Sequence, residues 1–115
     1  MTKVLTILSD YGVELNTTLN RFAGDEELYI DCLLDFISDK NFKLLESAME
    51  EKDYPAAFQY AHTLKGVSGN LGLTPLYKAV CDLTEPLRNK KYEAIHELYL
   101  QVKDQHHRLH IILKQ

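Results

Sequence analysis

Apolar residues along this chain recur at helical spacing and nowhere alternate with polar ones, as a half-buried strand would require. Glycine and proline fall between the periodic segments rather than at hairpin turns. The pattern excludes a sheet and predicts an all-α chain. A length of 115 residues suits a single core, so 1–115 is read as one domain. No internal repeat or low-complexity segment is visible.

The elements follow from periodicity and punctuation. Residues 2–9 read as a short apolar helix that Tyr11-Gly12 interrupts. Residues 13–22 read as a second, with Val13, Leu19 and Phe22 as packing residues and Gly24 just past its C-terminus. Asp25 caps the next helix, and Glu26-Glu27 suit its positive dipole end. Tyr29, Leu33, Phe36 and Ile37 share one stripe, with Leu28 and Cys32 beside it. The pattern weakens at 38–41 and resumes with Phe42, Leu44, Leu45, Ala48 and Met49. No glycine or proline lies in the gap, so 25–52 is read as one long helix kinked near 38–41, with two helices as the alternative.

Asp53-Tyr54-Pro55 restarts the chain with a capping residue and a first-turn proline. The helix it opens runs from about 54 to 71, with Gly72 as its left-handed stop. Thr74-Pro75 reads as a second cap-plus-proline start, for a helix carrying Leu76, Tyr77, Val80, Leu83, Thr84 and Leu87 and ending near Asn89-Lys90. A last helix, about 92–113, carries Ile95, Tyr99, Val102, His106, Leu109 and Leu113. Short links between amphipathic helices specify an antiparallel up-down four-helix bundle, here with short additional N-terminal helices.

Composition narrows the function classes. A net charge of −4 without a basic run argues against nucleic acid as partner. No apolar run is long enough to span a bilayer, and the N-terminal segment has no small-residue cleavage site, so it reads as mature protein with no membrane partner. Cys32 and Cys81 lack metal or redox spacing and read as reduced, packed thiols, which suits a cytoplasmic protein.

One stretch stands apart, Ala61-His62-Thr63-Leu64-Lys65-Gly66-Val67-Ser68-Gly69-Asn70-Leu71-Gly72. At about 100° per residue, Ala57, Tyr60, Ala61, Leu64, Val67, Ser68 and Leu71 form a core face. His62 lies opposite, on the side of Phe58, Gln59, Lys65, Gly66 and Gly69. Helical side chains lean toward the N-terminus, so Lys65 reaches back over the imidazole, where an ammonium would stabilise a phosphoryl group. Gly66 and Gly69 each cost roughly 1 kcal/mol inside a helix relative to alanine. Both are read as bare backbone that lets a partner approach the ring, and close helix packing is set aside because they point away from the core stripe. Gln59 is placed either to hydrogen-bond a phosphoryl oxygen or to stand as a solvated glutamine.

Ala61-His62, one variable residue, Leu64 and Lys65-Gly66, followed by Gly69-Asn70-Leu71-Gly72, resemble the signature of histidine phosphotransfer (HPt) domains, the phosphocarriers of multistep two-component relays. The stretch Arg21–Tyr29 is similar to the family's lead into its first bundle helix, and the likeness covers roughly residues 12–90. The resemblance implies that His62 is the phosphoacceptor, that Lys65 steadies the phosphoryl group, and that Gly66 makes room for a docking response-regulator receiver domain. Phe58 and Gly69 join Gly66 as expected docking residues. The resemblance further implies that the partner supplies the aspartate and Mg²⁺. No cofactor is then expected on this chain, which is a phosphocarrier and not an enzyme. A hybrid sensor histidine kinase and receiver domains are the expected partners, and a monomer is the expected state. Met1 and the complete-looking bundle lean toward a free-standing carrier over a domain of a hybrid kinase.

Other readings have less support. A bundle that docks a receiver or kinase without carrying phosphate leaves the His62–Lys65 pair unexplained. A histidine-kinase dimerisation hairpin typically has an acidic residue after the histidine, where Thr63 stands here. His106, His107 and His110 include a pair four apart, a spacing able to bind zinc, but His106 falls near the apolar stripe and no zincin-type glutamate intervenes, so no metal site is expected.

Overall fold

The computed structural model describes residues 3–114. Among them are seven helices and no strand: α1 (Lys3–Tyr11), α2 (Leu15–Asn20), α3 (Glu26–Ile37), α4 (Lys40–Glu50), α5 (Tyr54–Asn70), α6 (Thr74–Arg88) and α7 (Ile95–Leu113). The expected start of the first helix at Thr2 lies outside the described residues, as do the two ends of the 1–115 range.

Four of the described helices, α2 to α5, begin where an acidic side chain satisfies a free backbone N–H group. Asp25 accepts from Leu28 N at 3.0 Å and Asp53 accepts from Ala56 N at 3.2 Å, each closing a first turn. Glu14, which the sequence reading passed over, does the same for Asn16 N at 3.1 Å and starts α2 at Leu15. Thr74 departs from expectation: it is the first residue of α6 rather than its cap, Leu73 holds the cap position, and no side chain bonds there. Pro75 in the first turn lacks an N–H that would otherwise go unpaired.

The 25–52 segment is two helices. Ser38 and Asp39 separate α3 from α4, and Asp39 caps α4 by accepting from Asn41 N at 2.7 Å. Glycine and proline are absent because the break is made by this cap and by an outside prop, the His106 ring of α7 on the Ile37 carbonyl. Phe36 and Phe42 pack across the break with ring centroids 5.2 Å apart.

Helix stops are of two kinds. Gly72, at φ +71°, ends α5 as the sequence suggests. Its N–H bonds Gly69 O at 3.1 Å and the Leu73 N–H bonds Ser68 O at 3.0 Å, a Schellman pair. Lys52 and Lys90 adopt the same left-handed conformation after α4 and α6 without being glycine, so those stops carry no sequence mark.

One apolar cluster joins the helices. Tyr29, Leu33, Phe36 and Ile37 of α3 are buried with Leu45 and Ala48 of α4. Ala57, Ala61 and Leu64 of α5, Leu76, Val80 and Leu83 of α6, and Ile95, Val102 and Leu109 of α7 meet them. The long helices α4 to α7 pack in sequence as an antiparallel up-down bundle, while α1 and α3 lie against α7. Leu5 and Leu8 carry α1 into the core, and the Tyr11 hydroxyl donates to Gln105 Oε1 at 2.8 Å. Leu28 falls outside the α3 stripe and is exposed. No described helix is long and apolar enough to cross a membrane.

Candidate functional site

The apolar stripe of α5 fixes which side of this helix faces solvent. Ala57, Ala61, Leu64 and Ser68 are buried, so the residues rotated away from them, His62 and Gly66 among them, are exposed. Ser68 fits the core because its hydroxyl donates to Lys65 O at 3.1 Å. Thr63 likewise donates to Gln59 O at 3.2 Å.

A cleft of about 560 Å³ lies along α5 and the start of α6. His62, Lys65, Gly66 and Gly69 line it, joined by Arg21 and Tyr77. No carboxylate stands among the described residues lining it. Lys65 is half-buried and, among the described residues, forms no ion pair, so its ammonium is free to meet an incoming anion.

The glycines differ. A Cβ placed on Gly66 would meet nothing within 4 Å outside its own helix, so the backbone beside His62 is open to a partner. A Cβ on Gly69 would lie 3.0 Å from the Tyr77 ring. The close-packing explanation set aside for Gly69 therefore holds: α6 delivers an aromatic ring to that point, which the wheel of α5 alone does not show. Gly72 is needed twice, for its positive φ and because a Cβ there would collide with the Thr18 side chain.

Phe58 and Gln59 do not line the cleft. Phe58 is half-buried at the edge of the core, its ring stacked on His62 with centroids 5.8 Å apart at 23°. The Arg88 guanidinium lies over the same ring at 5.6 Å. Phe58 thus supports one side of the imidazole. Gln59 is exposed, and its recorded bond is made by its carbonyl, not its amide.

Two residues that the sequence reading did not assign to the site brace its far end. Arg21 Nη1 donates to Asn70 O at 3.0 Å and to Gly69 O at 3.4 Å, and the buried Tyr29 hydroxyl donates to Leu71 O at 2.7 Å. Carbonyls at a helix C-terminus have no partner within the helix, so these side chains satisfy them from α3 and the turn before it. Burial holds the Tyr29 phenol well above its usual range. The signal for Arg21 was its place just before the Gly24-Asp25 cap, but its partners lie 48 and 49 residues away.

The remaining histidines take other duties. His106 is half-buried, with its Nε2 on Ile37 O; His107 is exposed and His110 half-buried. Among the described residues no group of three or more histidine, cysteine or acidic side chains is arranged to hold a metal ion. Cys32 and Cys81 are free and half-buried.

Comparison with known proteins agrees with the fold. Histidine-containing phosphotransfer protein B (HptB) from Pseudomonas aeruginosa PAO1 has a similar crystal structure, with a TM-score of 0.79 and 24% sequence identity over 90% of this chain and 92% of that one. A search of curated proteins finds no match. The Hpt domain family model matches residues 37–110. That match spans more than half of the sequence and includes the whole of α5, and the chain belongs to the Hpt domain family, the helical phosphotransfer modules of two-component signalling.

Proposed function

We propose that this protein carries a phosphoryl group on His62, taking it from the phosphorylated aspartate of one receiver domain and passing it to the aspartate of another. The observation that carries the reading is the grouping of exposed His62 with unpaired Lys65 and the open backbone of Gly66 on one face of α5.

In the accepting step a ring nitrogen of His62 attacks phosphorus with its lone pair. The N–P bond forms as the bond to the aspartyl oxygen breaks, and the carboxylate leaves with that electron pair. The reverse sequence, at a second receiver, discharges the ring. Such transfers rely on positioning and charge neutralisation more than on covalent chemistry by the protein. This chain contributes the nucleophile, held by its helix and by the Phe58 ring, and a cation, Lys65, to offset the phosphoryl charge. The receiver contributes the aspartate and Mg²⁺. The carrier works as a cytoplasmic monomer between a hybrid sensor histidine kinase and a response regulator.

Incubation with a phosphorylated cognate receiver should give acid-labile labelling of the wild-type protein and none of His62→Gln. Equal labelling of that variant would show that the acceptor lies elsewhere.

A further inference from the structure

The cleft that holds His62 contains a second cation that no carboxylate neutralises. We infer that Arg21 is a docking contact that takes an acidic side chain of the partner receiver and so helps to select which receiver engages. This rests on the phosphocarrier reading above.

Most of the ion-paired cations in this structure are met locally. Lys78 pairs with Asp82, Arg88 with Glu85, and Arg108 with Asp104, at 2.8–3.0 Å. Arg21 forms no ion pair among the described residues, and its bonds to the Gly69 and Asn70 carbonyls both use Nη1. A guanidinium has five N–H donors in a rigid fork. Those on Nη2 and Nε are left without a recorded protein partner, on an exposed residue that lines the cleft. The bonds to the end of α5 hold the group in place, so little side-chain freedom remains to be lost when a partner binds.

Arg21 meets α5 too far beyond His62 to serve the phosphoryl group itself. Gly69 and Asn70 lie seven and eight residues beyond His62, about 10–12 Å along the axis. The His62 side chain also leans the opposite way, toward the N-terminus. An anion that meets Arg21 must therefore belong to a different part of whatever covers the cleft. A receiver docked with its aspartate at His62 spans that distance, and a carboxylate on its contact surface matches the fork in bidentate geometry. Tyr77 adds a second anchor beside it. The residue is 38% exposed, and its ring lies against Gly69 in the same cleft. Arginine and tyrosine are among the residue types enriched where binding energy concentrates at an interface. A cationic cleft on a chain of net charge −4 also localises the attraction to this face.

The test uses the receiver that labels the wild-type protein fastest. Arg21→Gln removes the charge and is too short to keep the bonds that Nη1 makes to the α5 carbonyls; Arg21→Lys keeps the charge and loses the fork. Receiver Kd is measured at low and high salt, beside Tm and direct labelling of His62 by phosphoramidate, a donor too small to use the docking surface. Arg21→Gln is expected to raise Kd about five- to tenfold and flatten its salt dependence, with Arg21→Lys intermediate. Phosphoramidate labelling should stay at wild-type values, and Tm should fall no further in Arg21→Gln than in Arg21→Lys. An unchanged Kd and salt slope in Arg21→Gln overturns the inference. So does weaker binding that merely tracks a lower Tm, with Arg21→Lys no better than Arg21→Gln, since Arg21 would then be a helix brace alone. If phosphoramidate labels His62 but no receiver does, the phosphocarrier reading fails and takes this inference with it.

Discussion

His106 Nε2 lies 2.7 Å from the carbonyl oxygen of Ile37, 69 residues earlier in the chain. A carbonyl only accepts, so Nε2 carries the proton and the neutral ring keeps its lone pair on Nδ1. The same ring lies flat on Phe42, with centroids 3.5 Å apart at 5°. Ile37 ends α3 and Phe42 stands in the first turns of α4, so one side chain from α7 holds both sides of the break.

Removing this prop should loosen the break. His106→Ala loses the hydrogen bond and the stack, and should destabilise the fold by about 1–3 kcal/mol. His106→Phe restores a ring against Phe42 and should recover only part of that. Chemical denaturation of the two variants measures both effects; equal stability of His106→Ala and wild type would contradict the role.

The same residue predicts a pH dependence. Burial, reinforced by the neighbouring His110 and His107, lowers the His106 pKa from 6.5, although the bond to Ile37 O opposes the shift. The unfolded chain then binds the proton more readily than the folded one. The contribution is therefore fully present above the unfolded value of 6.5 and is lost as pH falls through it toward the lower folded pKa. Stability of the wild type should fall over that acid range more than that of His106→Gln, as read from urea midpoints across pH.

Tyr29→Phe tests the other brace. Its hydroxyl supplies the recorded donor to Leu71 O in a buried setting. The variant leaves that carbonyl unpaired and should cost about 1–3 kcal/mol. Hydrogen exchange should quicken at the end of α5 before it does at Ala57 and Ala61. Uniform exchange would place the effect elsewhere.

What sequence alone conveyed depended on how local the cause was. The stripe of Tyr29, Leu33, Phe36 and Ile37 and the stripe of Ala57, Ala61 and Leu64 follow from helical periodicity, and all seven residues are buried. The same periodicity turns His62 outward, beside Lys65 and Gly66. Where sequence reading went astray, another segment intervenes. The break at Ser38-Asp39 is propped by His106 from α7, although Asp39 itself is a legible cap. Gly69 is small because Tyr77 of α6 presses on it, and Arg21 enters the cleft because its partners are carbonyls of α5. Phe58 shares a helix face with His62 but supports it from the core edge instead of lining the cleft.

Lys65→Ala separates chemistry from folding. No ion pair is lost, so Tm should change little. Loss of a charge-assisted contact to the phosphoryl group should slow transfer from the receiver, or shorten the phosphohistidine lifetime, by about tenfold. Unchanged transfer and lifetime would remove Lys65 from the site.

The two glycines of α5 and the one that stops it give the sharpest contrast, because each is bare for a different reason. Gly66→Ala enters open space inside a helix and should raise stability by about 0.5–1 kcal/mol. Gly66→Leu should remain folded yet slow receiver transfer on the order of tenfold to a hundredfold, since displacement of about 1 Å is costly to a reacting geometry. Gly69→Ala must shift Tyr77 and should be close to neutral or mildly destabilising. Gly72→Ala meets both a positive φ and the Thr18 side chain, and should cost at least about 1–2 kcal/mol. Thermal melts rank the four, and single-turnover transfer is measured on each. A fall in Tm for Gly66→Leu with normal transfer in the folded fraction would mean that the open backbone beside His62 serves the bundle and not the partner.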